Sequence, residues 1–358
     1  MPRSIAILGA SGAVGSTLAA QILRSELLEP DDRLQLVGHG ASASEAKLLG
    51  TRIDLLDAFD DERVEIEMVP KIEDVDADIV VVTSGVGPSD KLKDRRDLGA
   101  INRAIFEEIA EICAQRVPDA LFVVVSNPVE LGVKILADRL DRKKVFGMGA
   151  QQDSLRFARA VAKTLRMSRK DVRASVLGEH GQAMVPLWST VELLSERREH
   201  HAALDDLKKR ASETPLRERV AALHAEVLAL LESNDVPEAY EACRRALPDA
   251  RIFVQPFITY HCMHSTPNAT ANATLMCLAA IIAADARQMH GQVLLEGEVY
   301  GLRGVCGVPI TLNSDGWHVL GMNSIDDVEQ KMLHQAAESI TSFNESVLAT
   351  PAPGHDVS

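Results

Sequence analysis

The first fifteen residues do most to limit the folds open to this 358-residue chain. A short apolar run, Ser4-Ile-Ala-Ile-Leu8, meets Gly9-Ala-Ser-Gly12-Ala-Val-Gly15 and gives way to a helical pattern through Leu18, Ile22 and Leu23. Strand, glycine turn and helix in that order are the setting that a dinucleotide fingerprint requires. Gly9 permits the tight turn, Gly12 lets the backbone approach a pyrophosphate, and Gly15 lets helix and strand pack closely. The helix start at Ala13 and Val14 then turns N–H groups toward phosphate. A purely structural turn is the competing account of a bare glycine triplet. Here the strand before it and the helix after it favour the dinucleotide. Further apolar runs at 33–37, 65–69, 79–83 and 121–126 alternate with helical patterns. Together they predict an α/β chain, a Rossmann doubly wound parallel sheet followed by a mixed α/β catalytic domain.

A second stretch, residues 147–186, holds the groups that one reaction would need together: Asp153, Arg156 and His180. Asp153 and Arg156 stand three apart in an apolar-periodic segment, so on a helix they point roughly the same way. Arg156 offers a planar fork suited to a carboxylate. His180 follows 27 residues after Asp153, enough chain to run down a helix and return along a strand. An aspartate on one imidazole nitrogen fixes the tautomer and favours the charged ring, leaving the other nitrogen to exchange a proton with substrate.

Asp153-Ser-Leu-Arg156-Phe followed by Val176-Leu-Gly-Glu-His180-Gly-Gln-Ala-Met-Val-Pro186 resembles the lactate/malate dehydrogenase family, whose hallmark is D-x-x-R and then G-E-H-G-x-x-M-V-P. The resemblance implies an NAD(P)-dependent oxidoreductase acting on a small 2-hydroxy or 2-oxo acid, with malate/oxaloacetate as the expected pair. His180 and Asp153 would be catalytic, and Arg156 would hold the C1 carboxylate. The family's R-x-D-L-x-x-x-N pattern falls on Arg95, Asp97, Leu98 and Asn102. It implies that Arg95, on a loop closing over substrate, polarises the carbonyl. Its S/T-N-P motif puts Asn127 beside both nicotinamide and substrate, and a pocket-lining Thr or Ser is matched by Thr266. Gly85, in the turn after the fourth strand, and Asn102 join the cofactor set. The arginine that malate dehydrogenases carry six or seven residues before Arg95 is missing. Ser89 or Pro88 stands there, and Lys91 and Lys93 lack the guanidinium fork. Lactate or another 2-hydroxy acid therefore stays open as the substrate, as does a non-catalytic NAD(P)-binding paralogue.

The end of the second strand bears on the cofactor. NAD-preferring enzymes carry a carboxylate there for the ribose hydroxyls. This chain reads Leu36-Val-Gly-His39-Gly-Ala-Ser42, with no acid before Glu45. Without that repulsion, His39 and Ser42 can donate to a 2′-phosphate, so NADP is usable and slightly favoured, and NAD stays open.

With 52 acidic against 38 basic residues and a net charge of −14, neither nucleic acid nor an anionic membrane surface is an expected partner. The five scattered cysteines (Cys113, Cys243, Cys262, Cys277 and Cys306) lack metal-ligand spacing and read as reduced thiols, with no metal expected. The chain enters its first strand without signal-peptide architecture, so the cytoplasm is expected, and the resemblance implies a homodimer or homotetramer. The expected division is a dinucleotide-binding domain at 1–148, a catalytic domain at 149–348 with a helical insertion at about 190–250, and a disordered tail at 349–358. Within the catalytic part, 296–301 and 307–311 are expected as strands. The hydroxyl-rich run 263–274 is expected to precede and cap a helix over 275–284. Gly9-Ala-Ser-Gly12-Ala-Val-Gly15 also resembles the start of aspartate-semialdehyde dehydrogenases, which use a cysteine thioester, but no cysteine here follows a suitable strand-end turn.

Overall fold

The computed structural model describes residues 3–40, 42–59, 64–87, 95–263, 265–321 and 325–350, with the side chains of 95–97 outside that description. Six parallel strands form the first half: β1 (Ser4–Leu8), β2 (Asp32–Val37), β3 (Val64–Val69), β4 (Ile79–Val82), β5 (Leu121–Val124) and β6 (Val145–Gly147), in the order β3-β2-β1-β4-β5-β6. The order reverses beside β1, which pairs β2 on one side and β4 on the other. The crevice at that reversal, beyond the strands' C-terminal ends, is where open α/β sheets bind ligands.

These strands are apolar without alternation because both faces are covered. Ile5 and Ile7 turn into one core with Leu18 and Ile22 of helix α1 (Ala13–Arg24) and Leu48 and Leu55 of α2 (Ser42–Ala58). Ala6 and Leu8 turn the other way, onto Phe106 and Ile109 of α3 (Arg95–Arg116) and Leu131 of α4 (Val129–Ala137). Each of these side chains is almost wholly buried, which contributes roughly 1.5–3 kcal/mol for a Leu, Ile or Phe.

After β6 the chain enters α5 (Gly149–Thr164), then the hairpin β7 (Val172–Gly178) and β8 (Met184–Leu193). Four helices follow: α6 (Arg198–Glu213), α7 (Leu216–Glu232), α8 (Val236–Arg245) and α9 (Pro248–Met263). They share a third core with α5, through Phe157, Val161, Val227 and Val254. Helix α10 (Pro267–Ala283), strands β9 (Met289–Glu296), β10 (Arg303–Asn313) and β11 (Gly316–Val319), and helix α11 (Asp327–Ala349) complete the chain. Strand β9 joins antiparallel to β6 at Gly147 and Gln292, so a single sheet carries on from the parallel half into the antiparallel strands.

Four sequence expectations are corrected. Residues 297–301 are the turn between β9 and β10, not strand, with Gly297 and Gly301 at φ of 115° and 72°. Helix α10 begins at Pro267, so the Asn-Ala-Thr repeat lies inside it; Pro at the first helical position sets the start, and small residues pack where longer ones would not. Strand β8 runs to Leu193, past the expected start of the helical insertion. Ala349 belongs to α11, and the Thr350 carbonyl accepts from Arg103 Nη1 at 2.7 Å, so the expected tail does not start at 349; residues 351–358 lie outside the described residues.

Candidate active site

Helix α5 and the β7–β8 turn bring the three groups together. His180 Nδ1 lies 2.7 Å from Asp153 Oδ2, and Arg156 Nη1 donates to Asp153 Oδ1 at 2.9 Å. Asp153 is buried, while 16% of the His180 side chain and 24% of the Arg156 side chain reach solvent, so the pair faces outward from a hidden carboxylate. Burial pushes the Asp153 carboxyl up, but His180 and Arg156 outweigh it and hold it below the usual carboxylate range. The charged form of the aspartate is therefore favoured, and it can fix the tautomer of a ring that bonds it through Nδ1–H.

The ring's position is over-determined by residues that motif reading passed over. The His180 backbone N–H donates to Glu130 Oε1 at 2.6 Å, and Glu179 Oε2 accepts from Ala183 N at 2.7 Å across the turn. Glu130 is wholly buried, and its signal in the sequence was an acid inside an otherwise apolar helix, Val129–Ala137. Gly149 opens α5 directly beneath the ring: a Cβ there would stand 2.5 Å from both Cβ and Cγ of His180. The start of α5 is pinned in turn, because Ala150 N donates to Gln292 Oε1 at 3.1 Å. One residue on, the Gln151 side-chain oxygen accepts from His290 N at 3.1 Å, and His290 Nε2 meets Ser175 Oγ at 2.9 Å. His290 is buried, and that burial pushes its pKa down to about 4.

The glycine turn sits as its sequence requires. Gly9 has φ of 80°, and a Cβ there would come within 2.9 Å of Ser84 N, so β1's turn and β4's turn are in backbone contact. At Gly15 a Cβ would lie 2.5 Å from Gly9 O, the close helix–strand approach expected of the third glycine. At Gly12 such a Cβ would have Gly9 O as its neighbour, at 3.2 Å, so no side chain crowds this glycine. Helix α1 has no side-chain cap and no acid in its first turn, which leaves the N–H groups around Ala13 and Val14 to an anion. The residues present therefore fit a dinucleotide.

The other sequence candidates divide. Gly85 (φ of 155°) and Asn127 lie exposed at the C-terminal ends of β4 and β5. Asn102 is buried, and its amide is spent on these turns. Its Oδ1 accepts from Val86 N at 2.7 Å, while Nδ2 donates to Val86 O at 2.9 Å and Asn127 O at 2.6 Å. It holds the cleft's two strand ends together rather than presenting its amide to a ligand. His39 and Ser42 are both exposed after β2, beside Gly40 at φ of 80°. Thr266 stands at the N-terminus of α10, with Oγ1 within 3.4 Å of Gln152 Nε2, which ties it to α5 one residue before Asp153. Arg95 opens α3, but its side chain lies outside the described residues, as do the lid residues 88–94 with Lys91 and Lys93. His200 and His201 bond Ser195, and His224 packs edge-on against Phe257. Four of the five cysteines are buried, and burial pushes the Cys113, Cys277 and Cys306 thiols up to about 12, unsuited to forming a thioester.

Comparison with known proteins agrees with this geometry. A family model described as lactate/malate dehydrogenase, NAD binding domain, matches residues 3–147. A malate dehydrogenase from Trichormus variabilis is 30% identical over 346 residues, spanning 95% of this chain and 92% of that protein. The chain belongs to the lactate/malate dehydrogenase family. An L-2-hydroxycarboxylate dehydrogenase (NAD(P)(+)) from Methanocaldococcus jannaschii is 29% identical over 96% of this chain and 98% of its own. Among solved structures, malate dehydrogenase from Plasmodium falciparum superimposes with a TM-score of 0.73 at 22% identity, covering 97% of this chain and 98% of that one. The minor L-lactate dehydrogenase from Enterococcus mundtii gives the same TM-score and identity over 98% and 99%. At that identity the two structures speak for the fold, a lactate/malate dehydrogenase architecture along nearly the whole chain.

Proposed function

We propose that this chain is an NAD(P)-dependent oxidoreductase that moves a hydride between a nicotinamide and the C2 carbon of a small 2-hydroxy or 2-oxo acid, with malate and oxaloacetate as its pair. The observation that carries the reading is Asp153 bonded at once to His180 and Arg156, one oxygen to each. The nicotinamide, when bound, supplies or accepts the hydride. His180 Nε2 takes the hydroxyl proton during oxidation and returns it to the oxyanion during reduction, while Nδ1–H stays on Asp153. Arg156 anchors the C1 carboxylate and so sets C2 within reach of the imidazole. Arg95 is assigned to the carbonyl oxygen, and Asn127 and Thr266 to the walls of the substrate pocket. Gly9, Gly12, Ala13, Val14, Gly15 and Gly85 are assigned to the dinucleotide, with Asn102 as a positioning residue for its cleft. Exposed His39 and Ser42, with no acid beside them at the end of β2, support use of NADP alongside NAD.

Malate as substrate draws support from the names of the relatives. The absence from the sequence of the earlier lid arginine keeps lactate or another 2-hydroxy acid as the second reading. Reduction of oxaloacetate, pyruvate and longer 2-oxo acids, each with NADH and with NADPH, tests the proposal directly. In the same assay His180→Asn should lower turnover on the order of 10²–10⁴-fold while dinucleotide binding persists. Near-native turnover in that variant would remove His180 from the chemistry.

A further inference from the structure

A cavity of about 280 Å³ lies between α5, α8, α9 and the start of α10. Arg159, Lys163, Arg244 and Arg251 line it, and no acid does among the described residues. In a chain of net charge −14, four such cations around one small space are a local reversal of sign. Arg156 borders the cavity as well, but its Nη1 is already held by Asp153.

How the four are paired shows what the cavity lacks. Arg159 and Lys163 stand four apart on α5, so they share one face, and like charges at that spacing repel. Both are exposed and form no ion pair among the described residues. Arg244 is held by Glu241 at 2.7 and 3.0 Å. Arg251 is only 6% exposed, and its Nη2 closes the C-terminal end of α8, donating to Arg244 O at 2.8 Å and Ala246 O at 2.9 Å. The same Nη2 reaches Thr164 Oγ1 at 3.3 Å, which ties Arg251 to the turn of α5 that carries Lys163. All three acceptors are neutral. Nε of Arg251 is buried with no acceptor at all. Burial holds the pKa of Arg251 below the usual arginine range, with Arg244 and Arg159 adding like charge against the opposing pull of Cys243 and Tyr240. A guanidinium taken out of water without a counter-ion is costly unless an anion completes it.

The remaining wall acts in the same sense. Pro267, Asn268 and Ala269, the first residues of α10, line the cavity. No side chain caps this 17-residue helix and no acid stands in its first turn, so its positive end borders the same space.

We propose that this cavity is a binding site for a phosphate-type dianion, separate from the substrate site, with the anion seated between Arg251 and the Arg159–Lys163 pair. A tetrahedral dianion offers acceptors in several directions at once, which suits donors arriving from both α5 and α9. Ile252, Pro256 and Met263 supply an apolar part of the lining, so the class extends from the free ion to small phosphate monoesters whose organic part lies there. An anion gripped by α5 and α9 together cross-links two helices and stabilises the folded chain by mass action. The inference does not depend on the reaction proposed above.

The test follows the thermal unfolding midpoint of the full-length protein as inorganic phosphate is added, with sodium chloride holding the ionic strength constant. The parent should gain stability along a saturable curve. Arg159→Ala and Lys163→Ala, both surface changes, should each weaken the apparent affinity about tenfold. Arg156→Ala should leave it unchanged, and Arg251→Met should abolish it. Where the buried change disturbs folding, the two surface variants decide. A parallel titration with glycerol 3-phosphate separates the sources. Tighter binding than inorganic phosphate supports the site as one for a monoester, and weaker binding supports it as one for the free ion. A parent midpoint that does not respond to phosphate at constant ionic strength overturns the proposal, as does equal phosphate affinity in the parent and both surface variants. Loss of phosphate binding in Arg156→Ala alone also overturns it, because the anion would then sit on the carboxylate anchor. Turnover is not the readout, so the dehydrogenase reading stands in each of these cases.

Discussion

Gly149→Ala puts the positioning of His180 to the sharpest test, because the added methyl is the smallest change possible and its collision is with the ring proposed to move the proton. The new Cβ would lie 2.5 Å from His180 Cβ and Cγ and 3.0 Å from Nδ1, whereas ordinary contact begins near 3.4 Å. Something must therefore yield by roughly 1 Å. The helix start resists, since Ala150 N is bonded to Gln292 and Gly147 is paired with the same residue across the sheet. The His180 backbone resists through Glu130 at 2.6 Å. What remains is rotation of the ring about its own bonds, which breaks the 2.7 Å contact with Asp153. A misplacement of about 1 Å at a reacting group costs on the order of 10²-fold in rate. Steady-state reduction at saturating NADH or NADPH should show that loss in kcat, with dinucleotide binding by fluorescence unchanged. The competing expectation has the opposite sign, because alanine favours a helix over glycine by roughly 0.5–1 kcal/mol. A Gly149→Ala protein that unfolds at higher urea and turns over at the parent rate would refute the account of how His180 is held.

Two further predictions follow from the same network. Arg156→Lys keeps the charge but loses the two-pronged fork, so the KM for any 2-oxo acid should rise about tenfold or more with a smaller change in kcat; an unchanged KM would move the C1 anchor elsewhere. His290 is depressed to about 4 from an ordinary 6.5, so the unfolded chain binds the extra proton first. Stability from this group is complete above about pH 6.5 and is lost as pH falls toward 4, by about 3 kcal/mol in all. Urea unfolding at pH 7 and pH 4.5 should show that loss in the parent and a shallower one in His290→Gln; identical slopes would sink it.

Residues that act through backbone geometry or through contiguous spacing were legible before the fold was known. Gly9 and Gly15 announce a turn because only glycine fits where a Cβ would meet Ser84 N or Gly9 O. Asp153 and Arg156 are neighbours by helix periodicity alone, and the Gly-Glu-His-Gly turn fixes where β7 must end. What stayed hidden depends on distant segments meeting. Glu130 stands 50 residues before His180, and nothing local says that its carboxylate will cap that backbone N–H. Asn102 looked like a ligand residue, yet its three bonds go to the backbone at 86 and 127, a pairing visible only once β4 and β5 are side by side. A cavity lined by Arg156, Arg244 and Arg251 is the extreme case, because its walls come from α5, α8 and α9, segments far apart in the sequence.

The same logic explains how an acidic chain can present an anion-seeking site. Surface charge is screened over about 10 Å at 0.1 M salt, so the net −14 opposes approach only weakly, and contact donors decide binding. Inside the site the acids are turned inward. Asp153 gives one oxygen to His180 and the other to Arg156, Glu130 takes the His180 N–H, and Glu179 takes the Ala183 N–H. Each buried carboxylate orients a donor, and parts of His180 and Arg156 stay open to solvent. Asp153 is thus the group that aims both His180 and Arg156, and neutralising it would disorient both at once rather than relieve a repulsion.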